Sequence, residues 1–316
     1  MRKVFTFFLA ALVALVTLSA AGPARADTPD PANWPKPRFL SYNVCGAAGQ
    51  CGIYQNSATA WSNTMISAID NWDADLIMLQ EVCYGQWTTL RAALQNRTSG
   101  SPYDSIWGAS LASTNGCKKW GSDLRYGLVI LAKGGAGTIN NSYREVTYLP
   151  NPSGGEARIL LCGRASVTGR LVRACDTHID YVGSDPQQQV AAVAAKTRGY
   201  TEPVVLGGDF NLEPQDARLN PIYDHSGGTG VFQEVDENDT SYFTAGCAGL
   251  DRCRSGEPTE TVTPDCQGSG SVTHTAKIDY IFVSAAFFTT VRGDAAACTV
   301  GMSDHHLLRG AAAWVS

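Results

Sequence analysis

Residues 204–211, VVLGGDFN, are apolar enough to form a buried strand, yet the run breaks on Asp209 and Asn211. The same break recurs along the chain. Asn43 lies at the end of "RFLSYNV", Glu81 at the end of "DLIMLQEV" and His178 at the end of the 158–178 hairpin, whereas Asp279 lies near the start of "KIDYIFVS" and Asp304 with His305 opens the last apolar run. A core excludes such groups unless they are paired. Turn chemistry accounts for any one of them alone, but their repetition constrains the fold. If strands of opposite direction lie side by side, the carboxyl end of one and the amino end of its neighbour share an edge, and all these groups meet there.

The runs between them set the element order. Strands are expected at 38–44, 75–82, 103–110, 126–133 and 143–149, in a hairpin over 158–178, and at 203–209, 277–284, 291–298 and 305–315. Residues 57–72 repeat Trp61, Met65, Ile69 and Trp72 on one helical face, and 86–97 and 185–200 read as further helices. Helices interleaved with both hairpins and crossovers imply an α/β fold with mixed sheets. Residues 244–272, rich in glycine and threonine and holding three cysteines, read as a loop insertion.

Ahead of the domain, Arg2 and Lys3 precede an apolar run, and Ala24, Arg25 and Ala26 form a small-x-small cleavage pattern. This is the signature of a secretory signal peptide over residues 1–26. The apolar run falls short of the roughly 20 residues that a membrane-spanning helix needs. Residues 27–37 form a proline-rich leader, and 38–316 are long enough for a single large α/β or sandwich domain or for two small ones, which composition does not separate. Cleavage removes three of the 24 Lys and Arg and none of the 29 Asp and Glu, leaving a net charge of −8. An acidic, extracellular protein is expected.

All ten cysteines follow the cleavage point, and an oxidising compartment favours pairing them as disulfides. No C-x-x-C pair occurs, which argues against structural zinc. One bridge follows from geometry. A two-residue turn at Thr168 and Gly169 pairs Val167 with Arg170, and counting outward sets Cys162 opposite Cys175. That pair falls at a non-hydrogen-bonded site with Cα atoms about 4.5 Å apart, within disulfide reach. Sequence proximity suggests Cys45 with Cys51 and Cys247 with Cys253, leaving Cys83, Cys117, Cys266 and Cys298 for further bridges.

Gathered at one edge, carboxylates, amides and imidazoles make an oxygen-rich site suited to Mg²⁺ or a similar hard cation. Carboxylates so close repel one another and any phosphate; a cation relieves the repulsion and polarises a phosphoryl oxygen. Imidazole changes charge near neutrality and can take a proton from water, while an adjacent carboxylate holds its tautomer. Phosphoester hydrolysis fits this set. Neither G-x-S-x-G nor G-x-x-x-x-G-K occurs, so serine-hydrolase and P-loop chemistry lack their central residues.

"YNV", "LQEV", "THID", "GDFN", "KIDYIFV" and "SDHH" follow in the order and approximate spacing of the endonuclease/exonuclease/phosphatase superfamily. The chain resembles that superfamily, which includes pancreatic-type deoxyribonucleases, neutral sphingomyelinases and inositol polyphosphate phosphatases, across residues 38–315. The resemblance implies a four-layered α/β sandwich, two central mixed sheets flanked by helices, and a phosphoesterase dependent on Mg²⁺, or on Mn²⁺ or Ca²⁺. It implies that Glu81 is the main metal ligand, helped by Asn43 and by Asp304, which could instead be an acceptor behind the metal. His305 would be the base that deprotonates water, with Asp279 holding its other nitrogen. Asp209 and Asn211 would orient nucleophile and phosphate, and His178 would donate to a phosphate oxygen or assist the leaving group. Asp176, two residues earlier on the same strand face, is the candidate carboxylate partner of His178. One departure bears on substrate. The pancreatic type places a minor-groove arginine two residues after the metal glutamate, and this chain has Cys83 there.

The remaining features read as structural. Alternation on a strand turns His306 away from His305, His225 has no companion and decorates a loop, and His274 lies in a loop. Lys118, Lys119 and Arg125, like Arg164, Arg170 and Arg173, read as solvated surface, and Phe287 and Phe288 as buried. The expected protein is a secreted, monomeric phosphodiesterase acting on nucleic acid. A sphingomyelinase-like phosphodiesterase of phospholipid head groups and a phosphomonoesterase are the alternatives, and a non-catalytic binding module on the same fold is the alternative from another class.

Overall fold

The computed structural model describes residues 31–49, 51, 57–250, 252–261, 275–299 and 302–316. The expected signal peptide, Cys266, His274 and residues 262–272 of the insertion lie outside the described residues. In chain order the elements are β1 (Arg38–Asn43), α1 (Ala58–Trp72), β2 (Leu76–Cys83), α2 (Tyr84–Gln95), β3 (Tyr103–Leu111), β4 (Tyr126–Lys133), β5 (Ile139–Tyr148), β6 (Ile159–Val167), β7 (Arg170–His178) and α3 (Asp185–Arg198). There follow β8 (Val204–Asp209), β9 (Phe232–Glu234), β10 (Glu260–Thr261), β11 (Thr275–Ala276), β12 (Asp279–Ser284), β13 (Phe288–Ala295) and β14 (Leu308–Trp314).

Two six-stranded sheets form the centre, ordered β13-β14-β1-β2-β4-β3 and β5-β6-β7-β8-β12-β9. β1 pairs parallel with β2 and β7 with β8, and the other pairings in these sheets are antiparallel, so both are mixed as expected. Strand alternation sorts the side chains into layers. Leu40, Ile77 and Leu79 pack outward on Trp61, Met65, Ile69 and Leu90 of the first two helices. Phe39, Leu76 and Met78 pack inward on Ala174, Val205 and Ile281 of the other sheet. Beyond that sheet, Leu206 and Phe282 meet Val190 and Val193 of α3. Helices, sheet, sheet and helix make the four layers. Burial on both faces explains why β2 and β8 read as continuous apolar runs.

Local signals set the boundaries. Ser57 accepts the Ala60 N–H at 3.1 Å and starts α1. Gly207 lets the sheets approach, because a Cβ there would lie 2.6 Å from the Met78 side chain. Three expectations need correction. β14 begins only at Leu308, which leaves Asp304, His305 and His306 in the loop before it rather than on a strand. Phe288 is buried but Phe287 is 41% exposed, since β13 starts between them. His225 has companions after all, with Nδ1 2.8 Å from Asp224 Oδ1. The short β9, whose Glu234 is buried, gives too brief a signal to read in the sequence.

Disulfides join Cys45–Cys51, Cys83–Cys117, Cys162–Cys175 and Cys247–Cys253. The hairpin pairs Val167 with Arg170 and Cys162 with Cys175, whose Cα atoms lie 4.2 Å apart. Replacing both Cys162 and Cys175 with alanine should lower unfolding free energy by about 3 kcal/mol, the value for closing a loop of this size. A urea midpoint that does not move would show that the hairpin holds without its bridge.

Candidate active site

Register brings the polar strand ends together. His178 stands opposite Asp209 on the parallel β7–β8 ladder, and Asp209 opposite Asp279 on the antiparallel β8–β12 ladder. Three functional side chains thus lie abreast at one edge of one sheet. The facing sheet contributes Asn43 and Glu81 from the ends of the parallel strands β1 and β2. The Asn43 amide nitrogen spans the gap, donating to Glu81 Oε1 at 3.1 Å and to Asp209 Oδ2 at 3.0 Å.

Glu81 is aimed by a local irregularity. The β2–β4 register shifts between Leu79 and Val82, and Glu81 itself takes φ 58°. A left-handed conformation costs a non-glycine residue roughly 1–2 kcal/mol, and such strain collects at functional sites. Here it turns the carboxylate out of the ladder. Gly46 N–H holds the Glu81 carbonyl at 3.0 Å, and a Cβ on Gly46 would come within 2.3 Å of that oxygen. Asn211, also at positive φ, donates its backbone N–H to Asp209 Oδ1 at 2.9 Å and its side-chain amide to Ile179 O at 2.9 Å.

His305 comes from the loop before β14. Ser303 fixes the loop, its hydroxyl donating to Asn43 O at 2.7 Å and accepting from His305 N at 3.1 Å. His305 Nδ1 lies 2.8 Å from Asp279 Oδ2, and Nε2 lies 3.8 Å from Asp209 Oδ2. Burial opposes a charge on this ring, but Asp279's charge and hydrogen bond, then Asp209 and Asp304, hold its pKa well above the ordinary value. Burial and then the Asp279 charge push the Asp209 carboxyl up to about 7. Asp209, Asp279 and His305 present donor atoms within 4.8 Å of one another, and Asp279 Oδ1 is buried without a hydrogen-bond partner among the described residues. A buried carboxyl whose charge is opposed by desolvation and by a neighbouring carboxylate, beside Glu81, is the environment a hard cation satisfies.

The other expected residues are placed as follows. Asn43 Oδ1 accepts from Cys45 N at 3.0 Å, so its amide nitrogen, not its oxygen, faces the carboxylates. It braces Glu81 and Asp209 rather than offering a ligand oxygen. Asp304 sits beside the Cys45–Cys51 bridge, 3.7 Å from Cys51 Sγ, and reaches the site through its effect on His305. His178 does not pair with Asp176. That carboxylate accepts from Gln80 Nε2 at 2.7 Å between the sheets, and burial holds its pKa far up. The neighbour of His178 is Arg158, whose Nη1 lies 2.8 Å from Nδ1.

Arg158 escaped the sequence reading, although the hairpin register that pairs Cys162 with Cys175 also brings the start of β6 beside His178. Guanidinium only donates, so Nδ1 must accept and the neutral ring carries its proton on Nε2. Burial, then Arg158 and His305, hold the His178 pKa well below the ordinary value, keeping that ring neutral. Nε2 points to Asp209 Oδ2 at 3.4 Å and Asn211 Nδ2 at 3.3 Å. Tyr126, which lines the same small cavity as Glu81, was also missed. It opens an apolar strand with no local mark of function.

The sequence model of the Endonuclease/Exonuclease/phosphatase family matches residues 40–305, a span that contains all these side chains. The chain belongs to that family. Members of the family are typically hydrolases of phosphoesters and generally depend on divalent metals. A mannosyl-6-phosphatase of Bacteroides thetaiotaomicron superposes with TM-score 0.61 at 18% identity, covering 88% of this chain and 99% of its own. The catalytic domain of human Nocturnin, solved with bound sulfate, gives 0.61 at 16% identity over 89% and 94%. Truncated Caenorhabditis elegans TDP2 gives 0.55 at 15% identity over 86% and 95%. These likenesses establish the shared fold. Among curated proteins none matches the sequence.

The raised Asp209 pKa has a linkage consequence. An acid whose folded pKa lies above its unfolded value near 3.8 withdraws stability as pH rises toward 7, and a cation that replaces the proton restores it. The gain in Tm on adding Mg²⁺ to metal-free protein should therefore be larger at pH 8 than at pH 5, and Asp209→Asn should flatten the difference. Equal gains at both pH values would count against a cation at these carboxylates.

Proposed function

We propose that the protein is a secreted, divalent-cation-dependent phosphodiesterase whose substrate is extracellular nucleic acid. The observation that carries this reading is the His305 ring, bonded to Asp279 on one nitrogen and facing Asp209 with the other. A cation held at Glu81 would neutralise the carboxylates and polarise a phosphoryl oxygen. Asp209 orients the attacking water; with a cation offsetting the carboxylate charge that raises its pKa, His305 would take the water proton at Nε2, and Asp279 stabilises the resulting imidazolium through Nδ1. Neutral His178 donates from Nε2 to a phosphoryl oxygen, its tautomer fixed by Arg158. Asn211 donates beside it.

A groove of about 600 Å³ runs from Asn211 past Leu212 and Ile278 to Tyr181, room for the second substituent of a diester. Tyr181 is 70% exposed and offers a base a stacking face, which is sequence-tolerant. The position of the groove-reading arginine of pancreatic-type relatives is taken by Cys83 in its bridge to Cys117. Arg125, Arg164 and Arg173 are held by Asp123, Glu202 and Glu145. Cleavage with little base preference is the expectation. The lining of the groove favours one second reading. Glu213, Asp216 and Glu260 flank it, and with Tyr181 they suit the cationic head group of a phospholipid.

Plasmid DNA, sphingomyelin micelles and inositol phosphates, each with Mg²⁺, separate these readings by which substrate is hydrolysed. Activity on inositol phosphates alone would replace both with a phosphomonoesterase. On the preferred substrate, His305→Ala should lower kcat roughly 10²-fold or more; a loss of only a few fold would remove the ring from the mechanism. Glu81→Gln should raise the Mg²⁺ concentration needed for half-maximal rate, and an unchanged titration would deny Glu81 its ligand role.

A further inference from the structure

The insertion that begins near residue 244 reaches back into the site. Beyond the Cys247–Cys253 bridge, Arg254 donates to Asn220 Oδ1 at 2.8 Å and to His225 O at 3.2 Å, and Ser255 Oγ donates to Glu237 O at 2.7 Å. Glu257 receives the Ala295 N–H at 2.6 Å and gives its own N–H to Asp236 at 2.7 Å. The arm is therefore anchored where it arrives at Thr259, which is fully buried.

Thr259 fills a gap in the hydrogen bonding of β12. On the outer edge of that strand β9 pairs only with Phe282, Val283 and Ser284, which leaves the amides ahead of Tyr280 in need of an acceptor. Thr259 Oγ1 accepts both, from Ile278 N at 3.0 Å and from Asp279 N at 2.9 Å. Its backbone serves the other partner of the pair: Thr259 O accepts from His306 N at 2.6 Å, and Glu260 forms an isolated β-bridge with His305. The Thr259 N–H goes to Ala276 O at 2.9 Å. One residue is thus bonded to the backbone of Asp279 and to that flanking His305.

We propose that Thr259 is a positioning residue that sets the separation of Asp279 and His305, so that the disulfide-closed insertion holds the proton-accepting pair in register. It touches no reacting atom. Its action runs through the 2.8 Å contact between Asp279 Oδ2 and His305 Nδ1, and misplacing such a pair by about 1 Å can cost roughly 10²-fold in rate. The kinetic part of the claim rests on the hydrolytic reading above.

The test compares Thr259→Val, which keeps the shape and removes the acceptor, with Thr259→Ser, which keeps the hydroxyl. With Mg²⁺ and bis(4-nitrophenyl) phosphate, the valine variant should lose about 10- to 100-fold in kcat with KM within about 2-fold, and the serine variant should stay within about 3-fold of wild type. A second readout needs no turnover. In metal-free protein, the downfield proton resonance of His305 Nδ1–H, assigned by its absence in His305→Ala, should persist in the serine variant and vanish or move upfield in the valine variant. A valine variant that keeps the resonance overturns the proposal, whatever its kinetics. Should valine not fold, Thr259→Ala carries the same measurements. If neither folds while serine does, the hydroxyl is a fold determinant and the positioning role is lost. A wild-type protein that hydrolyses no phosphoester would end the hydrolytic reading and leave the resonance test standing.

Discussion

One amide holds the site together. Asn43 sits on the first sheet with Glu81, and its nitrogen also reaches Asp209 on the second sheet, so the two carboxylates come to a common distance only because the sandwich closes over the Asn43 side chain. A hydrogen bond to a charged acceptor contributes roughly 1.5–3 kcal/mol. Without this one, the Glu81 and Asp209 carboxyl groups would face each other with nothing between them. The Gln80–Asp176 bond below it repeats the device where burial disfavours the Asp176 charge. Together these two bonds tie the sheets beneath the cleft.

Burial then decides the chemistry. Asp209, Asp279, His178 and His305 are all nearly excluded from solvent, and each responds according to its neighbours. Two adjacent carboxylates make one imidazole a strong proton acceptor, while burial, and then a guanidinium 2.8 Å away, hold the pKa of the other down and favour a neutral donor. Identical side chains acquire opposite roles from what stands beside them. The backbone contributes as well, because Glu81 and Asn211 hold left-handed conformations that aim their side chains away from the ladder direction.

Most of the fold was legible because apolar periodicity reports it directly. The faces of α1, the extent of β4 and the Cys162–Cys175 register all follow from spacing alone. Pairing of strands near in sequence needs little beyond a turn. The short β9 and the late start of β14 were not legible, since three residues carry no period and the His305–His306 stretch resembles a strand locally while its hydrogen bonds go to other segments.

For the site, the residue types and their order were set by the sequence: carboxylates, amides and imidazoles at strand ends specify an oxygen-rich, proton-transferring cleft. What each does was settled only in three dimensions. Which atom of Asn43 faces Glu81, which neighbour holds His178, and where Asp176 goes all depend on contacts between segments far apart in the chain. Hydrogen-bond direction and local charge are properties of such juxtapositions, and no pattern within a single segment encodes them.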